Sequence, residues 1–503
     1  MSYLMGIDLG TSSVRAMLIR EDGSVLAVES EGYDVTIPAP RRAEQDPELW
    51  WRKTVAVIGR AVDGSGVEPE EIRGLGFSGQ MHGLVCLDAS GRPACPAIIW
   101  PDQRSGDAIR KIYELCGRDM MRDNVQNAVA TGFLLASLYW LRENEPDIYD
   151  RTAKVMLPKD YIKYRLSGEV TSDYSDAAGS TAFDNVNLHW AWDVLDRLGL
   201  DRDKFPVLGA SSLMVGRVTA EAARETGLSR KTAVVNGGAD QAMQAIGNGI
   251  IDDGVFASNI GTGGQMSTSM DRPIFDPLLR TSTFAHALPG RWYVMGGILS
   301  SGASLKWLGQ KVLLDTDYAA LSAEAEKTPS GSGGLVFLPY LTGERTPHLD
   351  PDARGVFFGL TSGHGRAHMV RAVMEGVTYA LRDCLDIITG MGLPCRRLIA
   401  SGGGANSPLW LQIQADVLEH EVHRSLVAEQ ACLGAAITAG VGAGVYGGFS
   451  EACGKLVKFD GKVYQPQPES VKIHRECLEI YREIYRFGRG LFRKLNDLPQ
   501  IKS

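Results

Sequence analysis

At 503 residues the chain is too long for one ordinary hydrophobic core, and two or more domains are expected. Apolar residues make up 44% and charged residues 22%, the balance of a soluble globular protein and not of a disordered or membrane-spanning one. The net charge of −8 argues against a nucleic-acid-binding surface but leaves phosphate binding open, because backbone N–H groups and a metal ion can hold an anion. The first residues enter an apolar run with no basic segment or cleavage site, and no stretch reaches 18 apolar residues, so neither a secretory leader nor a membrane contact is expected. The eight cysteines are scattered without C-x-x-C pairing and read as reduced thiols of a cytoplasmic protein.

In chain order, residues 3–7 and 14–19 read as strands around the turn Gly10-Thr11-Ser12-Ser13, and 24–29 returns as a third after Glu21-Asp22-Gly23. This strand–loop–strand opening differs from the strand–loop–helix of a dinucleotide fold. Asp46 caps a helix with Pro47 in its first turn, and residues 72–77 form a strand that ends in Ser78-Gly79-Gln80-Met81-His82-Gly83. A short strand at 97–100 leads into Pro101-Asp102-Gln103-Arg104. Residues 105–145 read as mostly helical, and 171–187 as a polar loop holding a short helix. The strand 232–235 runs into Asn236-Gly237-Gly238-Ala239-Asp240-Gln241 and a helix.

The second half repeats this order. A strand at 255–260 turns at Gly261-Thr262-Gly263-Gly264 into another strand, and a strand at 397–400 enters Ser401-Gly402-Gly403-Gly404-Ala405-Asn406. The two turns and the two Ser-Gly elbows match in position, which suggests a duplicated α/β architecture holding an anion between its halves. The boundary is expected between Gly249 and Gly254, giving units 1–250 and 251–460 and a helical tail 461–503. The helix at 431–442 is rich in small residues and suited to close packing.

Neither a G-x-x-x-x-G-K-[ST] phosphate loop nor the protein-kinase motifs occur. The N–H groups at Gly10, Thr11, Ser12 and Ser13 and at Gly261, Thr262 and Gly263 are the candidates for gripping phosphates from two sides. Asp8 either holds Mg2+ or merely shapes the turn. Gly403 and Gly404 give a flat ligand close backbone approach, with Asn406 binding it or capping the next helix. Asp240, at a helix start beside the predicted boundary, reads as a general base or a plain cap. A helix N-terminus lowers a carboxylate pKa, so strong basicity is not expected. His82 is expected to donate to a sugar hydroxyl with Met81 against the carbon chain, and Trp100, Asp102 and Arg104 form a polar turn suited to a polyol. No metal-ligand spacing for zinc occurs.

These motifs resemble the FGGY carbohydrate kinases, and among them the xylulokinase group, over nearly the whole chain. Asp8-Leu9-Gly10-Thr11-Ser12-Ser13 matches the first phosphate motif, Gly261-Thr262-Gly263-Gly264 the second, Ser401 to Asn406 the adenosine motif, and Ser78 to Gly83 the segment typical of xylulokinase-like members. The resemblance implies duplicated ribonuclease H-like domains of the sugar kinase, actin and heat-shock ATPase superfamily with a cleft between them. It also implies ATP and Mg2+ as cofactors, Asp240 as catalytic base, Asp8 as the magnesium-associated acid, and Met81, His82, Trp100, Asp102 and Gln241 near the sugar. The reaction implied is phosphorylation of D-xylulose at its terminal primary hydroxyl, and a homodimer is expected from the family alone. Two departures stand out. Pro101-Asp102-Gln103-Arg104 replaces the usual Asn-Asp-Gly-Arg, and Gln241 replaces the asparagine that often follows the acid. A kinase for another ketose or polyol such as ribulose, or an ATP-driven binding protein of the same superfamily, are the alternatives.

Overall fold

The computed structural model describes residues 1–498. Two seven-stranded mixed sheets organise the chain. In the first, Tyr3–Leu9 lies at the centre, antiparallel to Ser13–Arg20 on one side and parallel to Ile72–Gly79 on the other. In the second, Val255–Ile260 pairs in the same way with Gly264–Met270 and with Arg397–Ser401. The duplication extends to single residues. Asp8 stands opposite Ser78, and Asn259 stands opposite Ser401. The acid of the first half therefore has a neutral amide as its counterpart, and the two sites differ in charge at that point.

The halves are joined by two crossing helices, Asp240–Gly247 and Gln430–Gly442. Ala245 of the first helix clusters with Val255, Ala257 and Ile399 of the second sheet. Gln430–Gly442, by contrast, lies against the first sheet. A Cβ at Gly6 would fall 1.9 Å from the Cys432 carbonyl oxygen, and one at Gly76 would fall 2.0 Å from that of Ala435. The first sheet is thus closed by a helix from the second half of the sequence. The small residues at 430–442 allow this approach, which a β-carbon on the facing strands would block.

The polar stretch after residue 171 is not a surface loop. It forms the strand Thr171–Asp173 and the helix Tyr174–Gly179, and Asp173 and Asp176 are completely buried. Lys159 Nζ lies 2.9 Å from Asp173 and 3.4 Å from Asp176, and Lys163 lies 3.0 Å from Asp160, also buried. Buried carboxylates need such partners, and here Lys159 and Lys163 of the preceding helix supply them. The C-terminal helix Pro468–Asn496 packs on the second half through Tyr481, whose hydroxyl is 2.6 Å from that of Tyr340. Among the described residues no helix is long and apolar enough to cross a membrane.

Candidate functional site

The first glycine turn closes with Gly10 N–H donating to Ser13 C=O at 2.9 Å, and Tyr33 OH donates to Gly10 C=O at 2.6 Å. Thr11 is the hub of a polar network. Its hydroxyl accepts from Trp100 Nε1 at 2.9 Å and donates to Gln80 at 3.3 Å, while Gln45 holds its carbonyl at 2.7 Å. Trp100, 47% exposed, is thereby fixed at the lip of this turn. Ser12, Thr262 and Gly263 are exposed, so both turns are open to a ligand. The carbonyls of Gly261 and Thr262 receive N–H groups from Gly302 and Ser301, which ties the second turn to the start of the next helix.

Asp8 accepts from the Ser78 hydroxyl at 2.7 Å, and burial raises its pKa, with Ser78 and Arg15 pulling the other way. Asp240 opens the helix Asp240–Gly247, and its Oδ1 is buried with no hydrogen-bond partner among the described residues. Burial first, and then the charge of Asp8, raise its pKa to about 7, against the hydrogen bonds from Gln241. The sequence-based expectation of low basicity is therefore overturned. Loss of water outweighs the helix N-terminus, which acts only through the one or two N–H groups it supplies.

His82 sits at the end of the Ile72–Gly79 strand with φ of 78°, its ring stacked on Phe133 at 3.7 Å. Its Nδ1 lies 2.6 Å from the Gly179 carbonyl, and burial pushes its pKa down to about 4. A neutral ring that donates from Nδ1 leaves Nε2 as an acceptor. His82 is therefore placed to accept from a hydroxyl, not to donate to one as expected. Met81 is buried alongside, its Sδ 4.0 Å from the hydroxyl of Tyr293.

Asp102 and Arg104 are brought together but spent on each other. Asp102 is fully buried, accepts from the Ala43 N–H at 2.7 Å, and accepts from Arg104 Nε at 3.0 Å; Arg104 also reaches Glu44 at 2.5 Å. They anchor the turn that carries Trp100 and leave no free polar atom of Asp102 for a sugar. Among the adenosine candidates, Gly403 is exposed, but Gly404 is buried where a Cβ would meet Ile260 at 2.5 Å. Packing, not ligand approach, requires glycine at 404. Asn406 does not cap the following helix; its Oδ1 accepts from Arg424, and Ser407 takes the cap by accepting from Trp410 N–H.

A cleft of about 180 Å³ joins the two halves at this point, lined by Gln241 and Gln244 from the first and by Asn259, Gly263, Gly264 and Arg345 from the second. A larger hollow of about 680 Å³ beside Asp383 and Arg482 contains none of the predicted residues. Arg345, whose pKa is lowered by burial, makes no ion pair among the described residues. Tyr293 carries no signal in the sequence, whereas Arg345 stands in Tyr340 to His348, a stretch that also resembles the FGGY kinases. Both lie outside the glycine turns, and only the folding of the second sheet against the first brings them here.

No group of three metal-ligating side chains occurs among the described residues. The site nonetheless suits Mg2+ carried with a nucleotide. The charge of Asp8 raises the proton affinity of Asp240, and Mg2+ on a nucleotide requires only one or two carboxylates beside phosphate oxygens and water.

Comparison with known proteins agrees with this geometry. The N-terminal domain profile of the FGGY family of carbohydrate kinases matches residues 3–247, and the C-terminal domain profile of the same family matches residues 256–443. The chain is 34% identical over 491 residues to a xylulose kinase of Bacillus subtilis, covering 98% of both chains. It is 31% identical over 523 residues to a gluconokinase of the same species, covering 99% of this chain and 98% of the relative. The crystal structure of xylulose kinase from Rhodospirillum rubrum superposes with a TM-score of 0.91 at 29% identity, covering 98% of this chain and all of that one.

Proposed function

Because the chain belongs to the FGGY family of carbohydrate kinases and is an ATP-dependent sugar kinase, we propose that its acceptor is D-xylulose and its product D-xylulose 5-phosphate. The observation that carries the mechanism is Asp240 Oδ1, buried, unpartnered and held near pKa 7 beside the cleft. A carboxylate in that state takes the proton of the sugar's primary hydroxyl as its oxygen bonds to the γ-phosphorus of ATP. The bond from the γ-phosphorus to the bridging oxygen breaks, ADP leaves, and the proton later passes from Asp240 to water.

In this reading His82 accepts from a second sugar hydroxyl through Nε2, Met81 and Tyr293 pack against the carbon chain, and Gln241 completes the polar wall. Trp100 covers the sugar from the first turn. The N–H groups of residues 10–13 and 261–263 hold the phosphates, and Gly403 and Asn406 border the adenosine. Arg345 balances negative charge on the transferred phosphoryl group. Asp8 would hold Mg2+, which when bound neutralises charge between the β- and γ-phosphates.

A second reading follows from Arg345. An unpaired guanidinium in the cleft also suits the carboxylate of an aldonic acid such as gluconate. The deciding measurement is ADP release with D-xylulose, D-ribulose, D-gluconate and glycerol, with Asp240→Asn alongside. The proposal expects turnover with xylulose at a kcat/KM at least ~10-fold above the others. Preference for gluconate would replace the substrate and keep the mechanism. Sugar-independent ADP release in every sample would remove the transfer reaction itself.

A further inference from the structure

The loop ahead of Asp240, residues 236–239, is held from two sides. On one, Gly238 and Ala239 pair in parallel with Ser78 and Gly79. On the other, the Ala239 N–H donates to Ser175 Oγ at 3.1 Å. Ala239 is the residue from which the helix Asp240–Gly247 starts, and its side chain makes no capping hydrogen bond. The place of the Asp240 carboxyl therefore follows from where this backbone is fixed.

Ser175 is oriented by Asp173. Its hydroxyl donates to Asp173 Oδ2 at 2.5 Å, its N–H donates to the same oxygen at 2.8 Å, and Asp173 Oδ1 lies 2.9 Å from Lys159 Nζ. A carboxylate only accepts, so the Ser175 proton is committed to Asp173 and the lone pairs of its oxygen face the Ala239 N–H. Asp173 also accepts from the Ser211 hydroxyl at 2.8 Å. The same scaffold holds the loop further back. Asn236 Oδ1 accepts from Lys163 at 2.7 Å and from the Thr171 hydroxyl at 2.9 Å, and the Gly237 N–H donates to the Ser211 carbonyl at 2.9 Å. Lys159, Lys163, Asp173, Ser175 and Asn236 are completely buried.

Apolar packing would join these elements with equal or greater stability, because a buried ion pair loses hydration that its own attraction seldom returns in full. What the charges add is direction: hydrogen bonds that end on Asn236 and on Ala239, the two ends of the loop before Asp240. We propose that Ser175, oriented by Asp173 and Lys159, is a positioning residue for phosphoryl transfer, fixing the Ala239 backbone and through it the reach of Asp240 to the sugar hydroxyl. This rests on the reading of Asp240 as the base. Burial and Asp8 raise the proton affinity of Asp240, so Ser175 acts on its placement and not on its charge. Small displacements matter here, because a misplacement of ~1 Å costs about 100-fold in rate.

The test compares Ser175→Ala with Ser211→Ala in the full-length enzyme, using whichever sugar it phosphorylates fastest. Each variant takes one hydroxyl from Asp173, but only the first releases the Ala239 N–H. Ser175→Ala is expected to lose ~10–100-fold in kcat with KM for sugar and ATP within a few-fold. Ser211→Ala should lower Tm to a similar extent and keep its kcat. Equal kcat in the two variants overturns the proposal. Ser175→Cys keeps the volume but accepts only weakly, so it should lose several-fold even if Ser175→Ala does not fold; wild-type turnover in it also overturns the proposal. In an Asp240→Asn background, single-turnover transfer should fall no further on adding Ser175→Ala, since nothing is left to position. A full additional loss there overturns action through Asp240. Wild-type turnover in Asp240→Asn alone removes the base and this role together, whereas an inactive Asp240→Asn with Ser175→Ala matching Ser211→Ala removes the role of Ser175 only.

Discussion

Asp240 makes opposite demands on activity and on stability. With a pKa near 7, the base form grows as pH rises through neutrality, so kcat/KM for the sugar is expected to fall about tenfold per pH unit below ~7. A flat profile from pH 5 to 8 would show that no group of this pKa controls the step. The same shift sets a stability prediction. An acid whose pKa is higher folded than unfolded favours the fold while protonated, and that preference is lost as pH climbs from the unfolded value near 4 to about 7. Asp240→Asn is therefore expected to abolish transfer, by ~10²–10⁴-fold, while raising ligand-free stability at pH 8, by at most about 4 kcal/mol. The gain should shrink as pH falls towards 4, read by chemical denaturation at each pH. Asp8, Asp240 and His82 were legible in the sequence because each ends a strand beside glycines. Their protonation states were not, since burial comes from elements far away in the chain. Asp102 and Arg104 show the reverse: their spacing suggests a binding turn, but it lets them neutralise each other.

At the scale of elements, the crossing of Asp240–Gly247 with Gln430–Gly442 depends on missing side chains. A Cβ at Gly434 would lie 1.9 Å from the Met243 carbonyl oxygen, so the two backbones would have to separate. Gly434→Ala is expected to cost ~3 kcal/mol or more, the upper end for an overpacked site, seen as a drop in Tm. At Gly59, inside the helix Pro47–Ser65, an added Cβ would meet nothing within 4 Å, and Gly59→Ala is expected to add ~0.5–1 kcal/mol. Equal responses of the two variants would mean that the helix crossing tolerates expansion. The duplicated strand order was readable because turns and elbows recur in the same sequence. The packing of Gln430–Gly442 on the first sheet was not, because a small-residue helix looks the same whichever sheet it covers. The buried cluster of Lys159, Lys163 and Asp173 escaped for a related reason: polar residues read as exposed until their partners are known.

Across the whole molecule, the chemistry is divided between the halves. Gln241 and Gln244, which follow Asp240, belong to the first, Gly263, Gly264 and Arg345 to the second, and together they line the cleft between the halves. In the proposed mechanism the halves hold donor and acceptor together, and closure would also exclude water, the competing acceptor. For a chain of this length a compact radius of gyration is about 23 Å, and closure about the helix crossing is expected to reduce it on the order of 1 Å. Small-angle scattering with sugar plus a non-hydrolysable ATP analogue should show that compaction, and either ligand alone should show less. Arg345→Ala separates closure from chemistry. If Arg345 acts on the transferred phosphoryl group, the variant compacts normally, keeps the KM for sugar within a few-fold, and loses ~10²–10³-fold in kcat, the loss expected from removing one charge-stabilising group. A variant that keeps kcat and raises only the KM would instead assign Arg345 to the sugar and favour an acidic substrate. Because scattering and turnover are read on the same variant, failure to close and failure to transfer are told apart, and with them the role of the one guanidinium the second half extends into the cleft.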